Sequence, residues 1–361
     1  MRAAVMRDQK LVVDTLPEPQ PGAGEVIVRT LACGICGSDL HVLKHARRVV
    51  EAMRRSGAPM VMDLDRDVVM GHEFCAEMVE HGPGCQKHLK PGTRVCSMPI
   101  ALRPPELGTI GYSNEFPGGY GEYMVLNEML LLEVPNGLPT EHAALTEPMA
   151  VGWHAVEKAN LTADDVPLVI GCGPIGLAVI AALRIRGVGP IVAADFSAGR
   201  RRLAAALGAD VVVDPGAASP YGSWEAVAAL NDEGAAPADA FAFLLPRFRP
   251  AVLFECVGVP GIIQQILEGA PRGARIVVVG VCMETDRLDP IFAINKELNL
   301  QFVLGYSPAE FAATLQHLAE GRVAAAPLIT GKVGVEGVAG AFADLADPER
   351  HAKILVEPWR S

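Results

Sequence analysis

Within nine residues, Cys33-Gly-Ile-Cys36-Gly-Ser38-Asp39-Leu-His41 brings together two thiols, a hydroxyl, a carboxylate and an imidazole. Gly71-His72-Glu73-Phe74 and Thr146-Glu147-Pro148 follow further along the chain. Thiolate, imidazole and carboxylate are donor types of a catalytic zinc, which takes about three protein ligands and keeps one position open for water or substrate. Each piece also has a plainer explanation. The Cys33/Cys36 spacing is that of a redox dithiol, although such pairs usually open a helix in a thioredoxin-like βαβ setting that is missing here. A core histidine accounts for His72 and a helix-capping acid for Glu147, so composition alone leaves the metal site and these alternatives open.

A second chemical signal is Gly171-Cys172-Gly173-Pro174-Ile175-Gly176, which follows the apolar run PLVI and opens LAVIAALRI. The first glycine permits a tight turn, the second lets backbone approach a pyrophosphate, and the third allows close packing of helix on strand. The helix start then offers N–H groups and a positive dipole end to phosphate. A lone pattern of this kind is weak, but here a further strand, IVAAD, ends in Asp195, 19 residues after Gly176. A carboxylate at that place accepts hydrogen bonds from a ribose diol and repels a 2′-phosphate, which points to NAD over NADP. Arg200, Arg201 and Arg202 follow closely and one of them is able to pair with a phosphate; a solvated helix face is the plainer reading of the three.

These groups need elements to hold them. Up to about residue 135 the chain shows short β-rich runs (LVVDTLP, GEVIVRTLA, CAEMVEHG, GTRVCSMPI, GEYMVLN) punctuated by Gly and Pro, which predicts a mostly β unit. From about Pro148 to Leu300 apolar strands alternate with Ala-rich helices, the rhythm of a parallel sheet covered on both faces. After Gly305 come two helical stretches and a last strand, HAKILVEP, too little for a third core, so this tail is expected to rejoin the first domain. The expected division is 1–149 and 304–361 for one domain and 150–303 for the other. Residues 214–240 are expected to form a loop and a surface helix.

The whole chain has 361 residues, half of them hydrophobic, and a formal charge of −11. That length exceeds one ordinary core, and the acidic balance speaks against a nucleic-acid surface. Cysteines at 33, 36, 75, 85, 96, 172, 256 and 282 are mostly scattered, which suits a reducing compartment. Charges and prolines interrupt the N-terminal stretch before any apolar signal region forms, so a cytoplasmic location is expected. Val166–Leu183 runs 18 residues without a charge, at the threshold for a membrane span. Its interior GCGPIG is better explained by a buried strand, a turn and a buried helix.

Taken in order, CGICGSDLH, GHEF, GGYGEYM, EPMAVGWHA, GCGPIG and FECVG resemble the zinc-dependent medium-chain alcohol and polyol dehydrogenases, in the branch of sorbitol and threonine dehydrogenases. The resemblance spans nearly the whole chain. It implies a mostly β GroES-like catalytic domain, formed by both chain ends, around a nested α/β Rossmann coenzyme domain. It implies Cys36 and His72 as zinc ligands, Glu73 as a ligand or close neighbour with a catalytic role, and Glu147 at the third ligand position. Asp39 is then a partner of the ligands and Cys33 a buried bystander. Ser38 and His41 match the family's hydroxyl-to-histidine proton relay. Gly171, Gly173, Pro174, Ile175, Gly176, Asp195, Arg200, Val257, Val279 and Val281 match coenzyme positions, and Lys353 matches a basic residue that meets the pyrophosphate. The implied reaction is hydride transfer between an alcohol carbon and NAD with one zinc per chain, in a homodimer or homotetramer.

Two stretches depart from the family. No cysteine follows Cys96 before Gly121, so the four-cysteine lobe that binds a structural zinc in many relatives is not expected. Between His41 and Gly71 the chain is longer than usual. Val42, Ala46, Val49, Val50 and Met53 fall at helical spacing there, with Lys44, Arg47, Arg48, Arg54 and Arg55 on the remaining face. Such a basic helix either selects an anionic or bulky substrate or is simply solvated. Two other readings stay in play: a zinc-free NADPH-dependent enone or quinone reductase of the same fold, and a non-catalytic dinucleotide-binding redox sensor using Cys33 and Cys36.

Overall fold

The computed structural model describes residues 1–57, 62–103, 106–135, 137–230 and 247–360. The chain divides into two compact units, Met1–Ala150 with Ser307–Ser361, and Val151–Tyr306.

The first unit opens with β1 (Arg2–Arg7), β2 (Lys10–Thr15) and β3 (Glu25–Gly34). Next comes α1 (Gly37–Arg55), then β4 (Val68–Val69), β5 (Glu73–His81) and β6 (Arg94–Ser97). A hairpin of β7 (Ile100–Arg103) and β8 (Glu106–Thr109) leads to β9 (Tyr123–Asn127) and β10 (Leu131–Glu133). Two helices, α2 (Thr140–Ala143) and α3 (Thr146–Lys158), carry the chain onward.

The second unit alternates strand and helix as apolar runs separated by glycine turns dictate: β11 (Val166–Ile170), α4 (Pro174–Arg186), β12 (Val192–Ala194), α5 (Ala198–Leu207), β13 (Val211–Val213) and α6 (Pro220–Ala228). It continues through β14 (Ala251–Glu255), α7 (Ile262–Gly269), β15 (Arg275–Val278), α8 (Pro290–Lys296) and β16 (Asn299–Phe302). Six parallel strands stand in the order β13-β12-β11-β14-β15-β16, which places β11 and its glycine turn centrally. The uncharged run from Val166 is thus β11, the turn and α4, and no described helix is long and apolar enough to cross a membrane. α6 is more than a surface helix, because Trp224 is 1% exposed and donates its indole N–H to Val166 O at 2.8 Å. Of the stretch 214–240, residues 231–240 lie outside the described residues.

The tail adds α9 (Pro308–Ala319), β17 (Ile329–Val333), α10 (Val338–Leu345) and β18 (Lys353–Val356) to the first unit. There β18 pairs with β3, and the sheet runs β10-β6-β5-β3-β18-β17 with β9 also on β3. Where a cysteine lobe is not expected, the β7–β8 hairpin is tied down by an ion pair. Arg103 donates to both oxygens of Glu25, at 2.5 and 3.1 Å, and lies 4.8 Å over the Phe116 ring.

The basic insert is helical and continuous with the chemistry-rich loop: α1 starts at Gly37 and bends at His45. Val42, Ala46, Val49 and Val50 are buried, while Lys44, Arg47, Arg48, Arg54 and Arg55 are exposed. Residues 58–61 of the insert lie outside the described residues.

Candidate metal centre and coenzyme turn

Sheet pairing assembles the first site. Cys36 follows the end of β3, Glu73 begins β5, and the antiparallel register sets Gly34 opposite Glu73. Gly34 has to be glycine, because a Cβ there would overlap the Glu73 carboxylate. Cys36 caps the N-terminus of α1, where Asp39 reaches back to accept from the Cys36 N–H at 3.0 Å, half of a capping box. One ligand atom each from Cys36, His72 and Glu73 then lies within 4.8 Å of the other two. Among the described residues this is the one such group of His, Cys, Asp and Glu.

The surroundings are charged and dry. His72 and Glu73 are 7% and 0% exposed. The buried Asp39 carboxylate accepts from Tyr112 Oη at 2.8 Å and Tyr120 Oη at 2.6 Å, and lies 3.4 Å from His72 Nδ1. Burial opposes ionisation of Asp39, but His72 and the two tyrosine hydroxyls outweigh it and hold the carboxyl below its usual range. Burial likewise opposes a charged His72, yet the Asp39 carboxylate and the Cys36 sulfur raise the imidazole well above its ordinary value. At Cys36 burial and Glu73 push the thiol up.

The set fits zinc on two grounds. Sulfur, nitrogen and oxygen donors converge from one loop and one strand start, the donor mix of catalytic zinc sites. His72 Nδ1 also faces the buried Asp39 carboxylate at 3.4 Å, the outer partner that orients a metal-binding imidazole and leaves its other nitrogen for the ion.

Three expectations meet other geometry. Glu147, in the first turn of α3 and 9% exposed, stands outside the 4.8 Å group, although its charge is felt at Lys353. Lys353 was expected at a pyrophosphate. Instead its Nζ is 3% exposed and donates to Glu73 Oε1 at 2.8 Å, Oε2 at 2.6 Å and Ile35 O at 3.0 Å. An ammonium has three N–H donors, so all of them are taken. Pairing of β18 with β3 explains this placement: Leu355 sits opposite Gly34, the same residue that faces Glu73. Burial opposes the charge on Lys353, but Glu73 and Cys36 outweigh it and raise its pKa. The redox-sensor idea loses its dithiol, since Cys33 is 0% exposed and burial pushes its thiol well up.

Ser38 lies in the first turn of α1 with His41 one turn further, partly exposed. Spacing of three residues puts them on one helix face. Ser38 Oγ is 2.8 Å from Tyr112 Oη. Neither Tyr112 nor Tyr120 was singled out from the sequence; Tyr120 stands within the motif GGYGEYM, while Tyr112 carried no signal.

In the second unit each glycine of the turn has its own requirement. Gly171 has φ +92°, a left-handed conformation, and a Cβ on it would come within 2.7 Å of Val257 Cγ2. A Cβ on Gly176 would overlap Gly171 O, so α4 packs directly on the turn. A Cβ on Gly173 would meet nothing nearer than Arg200 Nη1 at 3.8 Å, which leaves the backbone open to a ligand. Pro174 is the first residue of α4, and Gly173, Pro174 and Ile175 keep partial solvent access. Asp195 Oδ2 accepts from Cys172 N at 2.7 Å and Oδ1 from Ser197 N at 2.8 Å, so the acid is fixed against the turn. Arg200 Nη1 is 4.0 Å from Asp195 Oδ2, and its Nε is buried with no hydrogen-bond partner. An open glycine, a helix N-terminus and an unsatisfied guanidinium N–H together suit a dinucleotide.

Val257 and Val281 are 39% and 45% exposed, while Val279 is 6% exposed and gives its strand-end loop only backbone. Glu255, also missed, holds these loops: it is 1% exposed, and its Oε1 accepts from Val257 N at 2.6 Å and Gly258 N at 2.8 Å. Burial outweighs these bonds and raises its pKa.

Comparison with known proteins bears on both sites. Residues 174–320 match the family described as zinc-binding dehydrogenase, and residues 22–136 that described as alcohol dehydrogenase GroES-like domain. The chain is 31% identical to (R,R)-butanediol dehydrogenase of Bacillus subtilis over 99% of its own length and 100% of the relative's. It is 29% identical to bovine sorbitol dehydrogenase, covering 92% of this chain and 89% of that one. The crystal structure of the Bacillus subtilis 2R,3R-butanediol dehydrogenase superposes with a TM-score of 0.77 at 29% identity, over 99% of both chains. Galactitol-1-phosphate dehydrogenase from Escherichia coli gives 0.77 at 25% identity, covering 99% of this chain and 100% of that one. With both family matches in place and a donor group ready for zinc, the chain belongs to the zinc-dependent medium-chain alcohol and polyol dehydrogenases, oxidoreductases that act on CH–OH groups with zinc and a nicotinamide coenzyme.

Proposed function

We propose that Cys36, His72 and Glu73 hold the zinc and that the enzyme oxidises a vicinal diol or polyol with NAD, or runs the reverse reduction. The observation that carries this reading is the convergence of those three side chains within 4.8 Å. Bound there, zinc supplies Lewis acidity that eases loss of an alcohol proton. Ser38 is placed to take that proton and His41 to pass it outward. Glu73 keeps lone pairs for a metal even with both oxygens accepting from Lys353, because a carboxylate has about four acceptor positions. Gly173 and the start of α4 receive the pyrophosphate, Arg200 adds a charged donor, and Asp195 holds the ribose. The diol and polyol preference rests on the butanediol, sorbitol and galactitol-phosphate relatives.

A panel of primary alcohols, secondary alcohols, vicinal diols, polyols and hydroxy acids, each offered NAD and NADP, tests the reading. NADH production fastest with a diol or polyol is expected, and turnover confined to enones with NADPH would contradict it. In the same assay Asp195→Gly should narrow the preference for NAD by about tenfold or more, because removing the repelling carboxylate leaves Arg200 and Arg201 at that place. An unchanged ratio would count against Asp195.

We also propose a homo-oligomer in the cytoplasm. β16 is an edge strand, and Ile294, Phe302 and Leu304 beside it are 67%, 67% and 89% exposed, a surface that suits a second copy. All eight cysteines are free, in keeping with a reducing compartment. Light scattering that finds a monomer, or cell fractionation that finds the protein outside the cytoplasm, would overturn these two points.

A further inference from the structure

The basic outer face of α1 has no task in the reaction proposed above. Lys44, Arg47, Arg48, Arg54 and Arg55 are exposed there, with Glu51 as an acid among them, while Ala46, Val49 and Val50 are buried and fix the helix to its unit. Elsewhere in the same unit Arg2, Arg7, Arg29 and Arg66 each pair with a carboxylate. Lys44, Arg47, Arg54 and Arg55 pair with none among the described residues, although the chain has 42 acidic residues against 31 Lys and Arg. The result is a concentrated positive field on an acidic molecule.

The form of this face narrows what fits it. From Lys44 to Arg55 the helix rises about 16 Å, and side chains on a convex helix surface diverge, so they do not close around one small anion. No large apolar side chain of α1 is exposed among the described residues, which leaves nothing to insert into a lipid surface. A nucleic acid would run past the face onto the rest of a chain of charge −11. A short row of carboxylates does match, in the way that arginine clusters read acidic motifs.

We propose that the outer face of α1 docks an acidic segment of a partner protein, about three helical turns long. Cys36 caps the same helix, and about 12 Å of helix separates it from Lys44, so the partner sits beside the metal group. The inference stands on exposure and charge, and it does not need the dehydrogenase reading.

The test uses a labelled oligoglutamate peptide titrated into the full chain at low salt, followed by fluorescence anisotropy. Saturable binding of one peptide per chain is expected. Arg47→Glu/Arg54→Glu should weaken it at least about tenfold, because two attractions become repulsions. Lys10→Glu/Lys90→Glu, the same change of net charge at exposed positions off the face, should leave it within about twofold. If the first double variant does not fold, Lys44→Gln/Arg55→Gln should still weaken binding by several-fold.

Equal losses in the on-face and off-face variants would show a response to net charge alone and overturn the proposal, as would a wild type that does not bind. Three further results would overturn it in favour of another occupant. Displacement of the peptide by millimolar inorganic phosphate, or an Arg47→Glu/Arg54→Glu variant that loses turnover of a phosphorylated polyol and keeps that of the neutral one, would mean a small anion. Tighter binding of an oligonucleotide or of phosphatidylserine vesicles would mean a phosphate surface. Self-association that the peptide reverses would mean a second copy of this chain.

Discussion

His72→Ala is expected to lower alcohol oxidation by at least about three orders of magnitude, because loss of a metal ligand removes the Lewis acid from the transition state. His72 is the neutral-nitrogen donor of the group and is held by its contact with Asp39 at 3.4 Å. NADH affinity should stay within about twofold of wild type on the same reasoning, since Gly171, Gly173, Asp195 and Arg200 all belong to the Val151–Tyr306 unit and His72 to the other. Steady-state turnover with coenzyme fluorescence titration checks both halves. Retained turnover would refute the metal assignment, and loss of NADH binding would show that the substitution had disturbed more than the metal.

The second large effect is on stability. In the protein stripped of metal by a chelator, where no cation but Lys353 faces Glu73, Lys353→Met should destabilise by about 3–5 kcal/mol, the usual cost of leaving one charge of a buried pair uncompensated. Glu73 is 0% exposed and its side chain has Lys353 as its cation, with both oxygens engaged. For a unit of this size that corresponds to a fall in Tm on the order of 10 °C. The double variant Lys353→Met/Glu73→Gln should recover much of it, because no buried charge is left stranded. Thermal denaturation of the single and double variants decides the matter. A single variant that melts with the wild type would mean the pair is screened or open to water, and a double variant no better than the single would deny the coupling.

The coenzyme turn was legible because everything that specifies it is local. Gly171 needs a positive φ, Gly176 has no room for a Cβ and Gly173 stays open, all within one strand-turn-helix. Asp195 was legible for the same reason, one strand further on. The metal group was less so. Spacing alone could not separate a zinc site from a dithiol, a core histidine and a capping acid, and the resemblance to a family made the distinction. In the structure the decisive step is non-local, the register that sets Gly34 opposite Glu73.

Lys353 shows the limit of that approach. Its partner is 280 residues away, reached only because β18 joins β3 on the side opposite β5. Tyr112 was not legible at all: it sits in the least family-like stretch, and a tyrosine among glycines carries no spacing signal. Glu255 did leave a trace, an acid closing the otherwise apolar strand AVLFE, where a buried charge needs a reason.

The central claim is that Cys36, His72 and Glu73 form a single zinc centre that the reaction needs. Elemental analysis of the purified protein, repeated after chelation and after zinc is returned, tests it most directly. The account predicts about one zinc per chain, activity lost with the metal and restored with it. Two zinc ions per chain, or full alcohol oxidation with none, would contradict it.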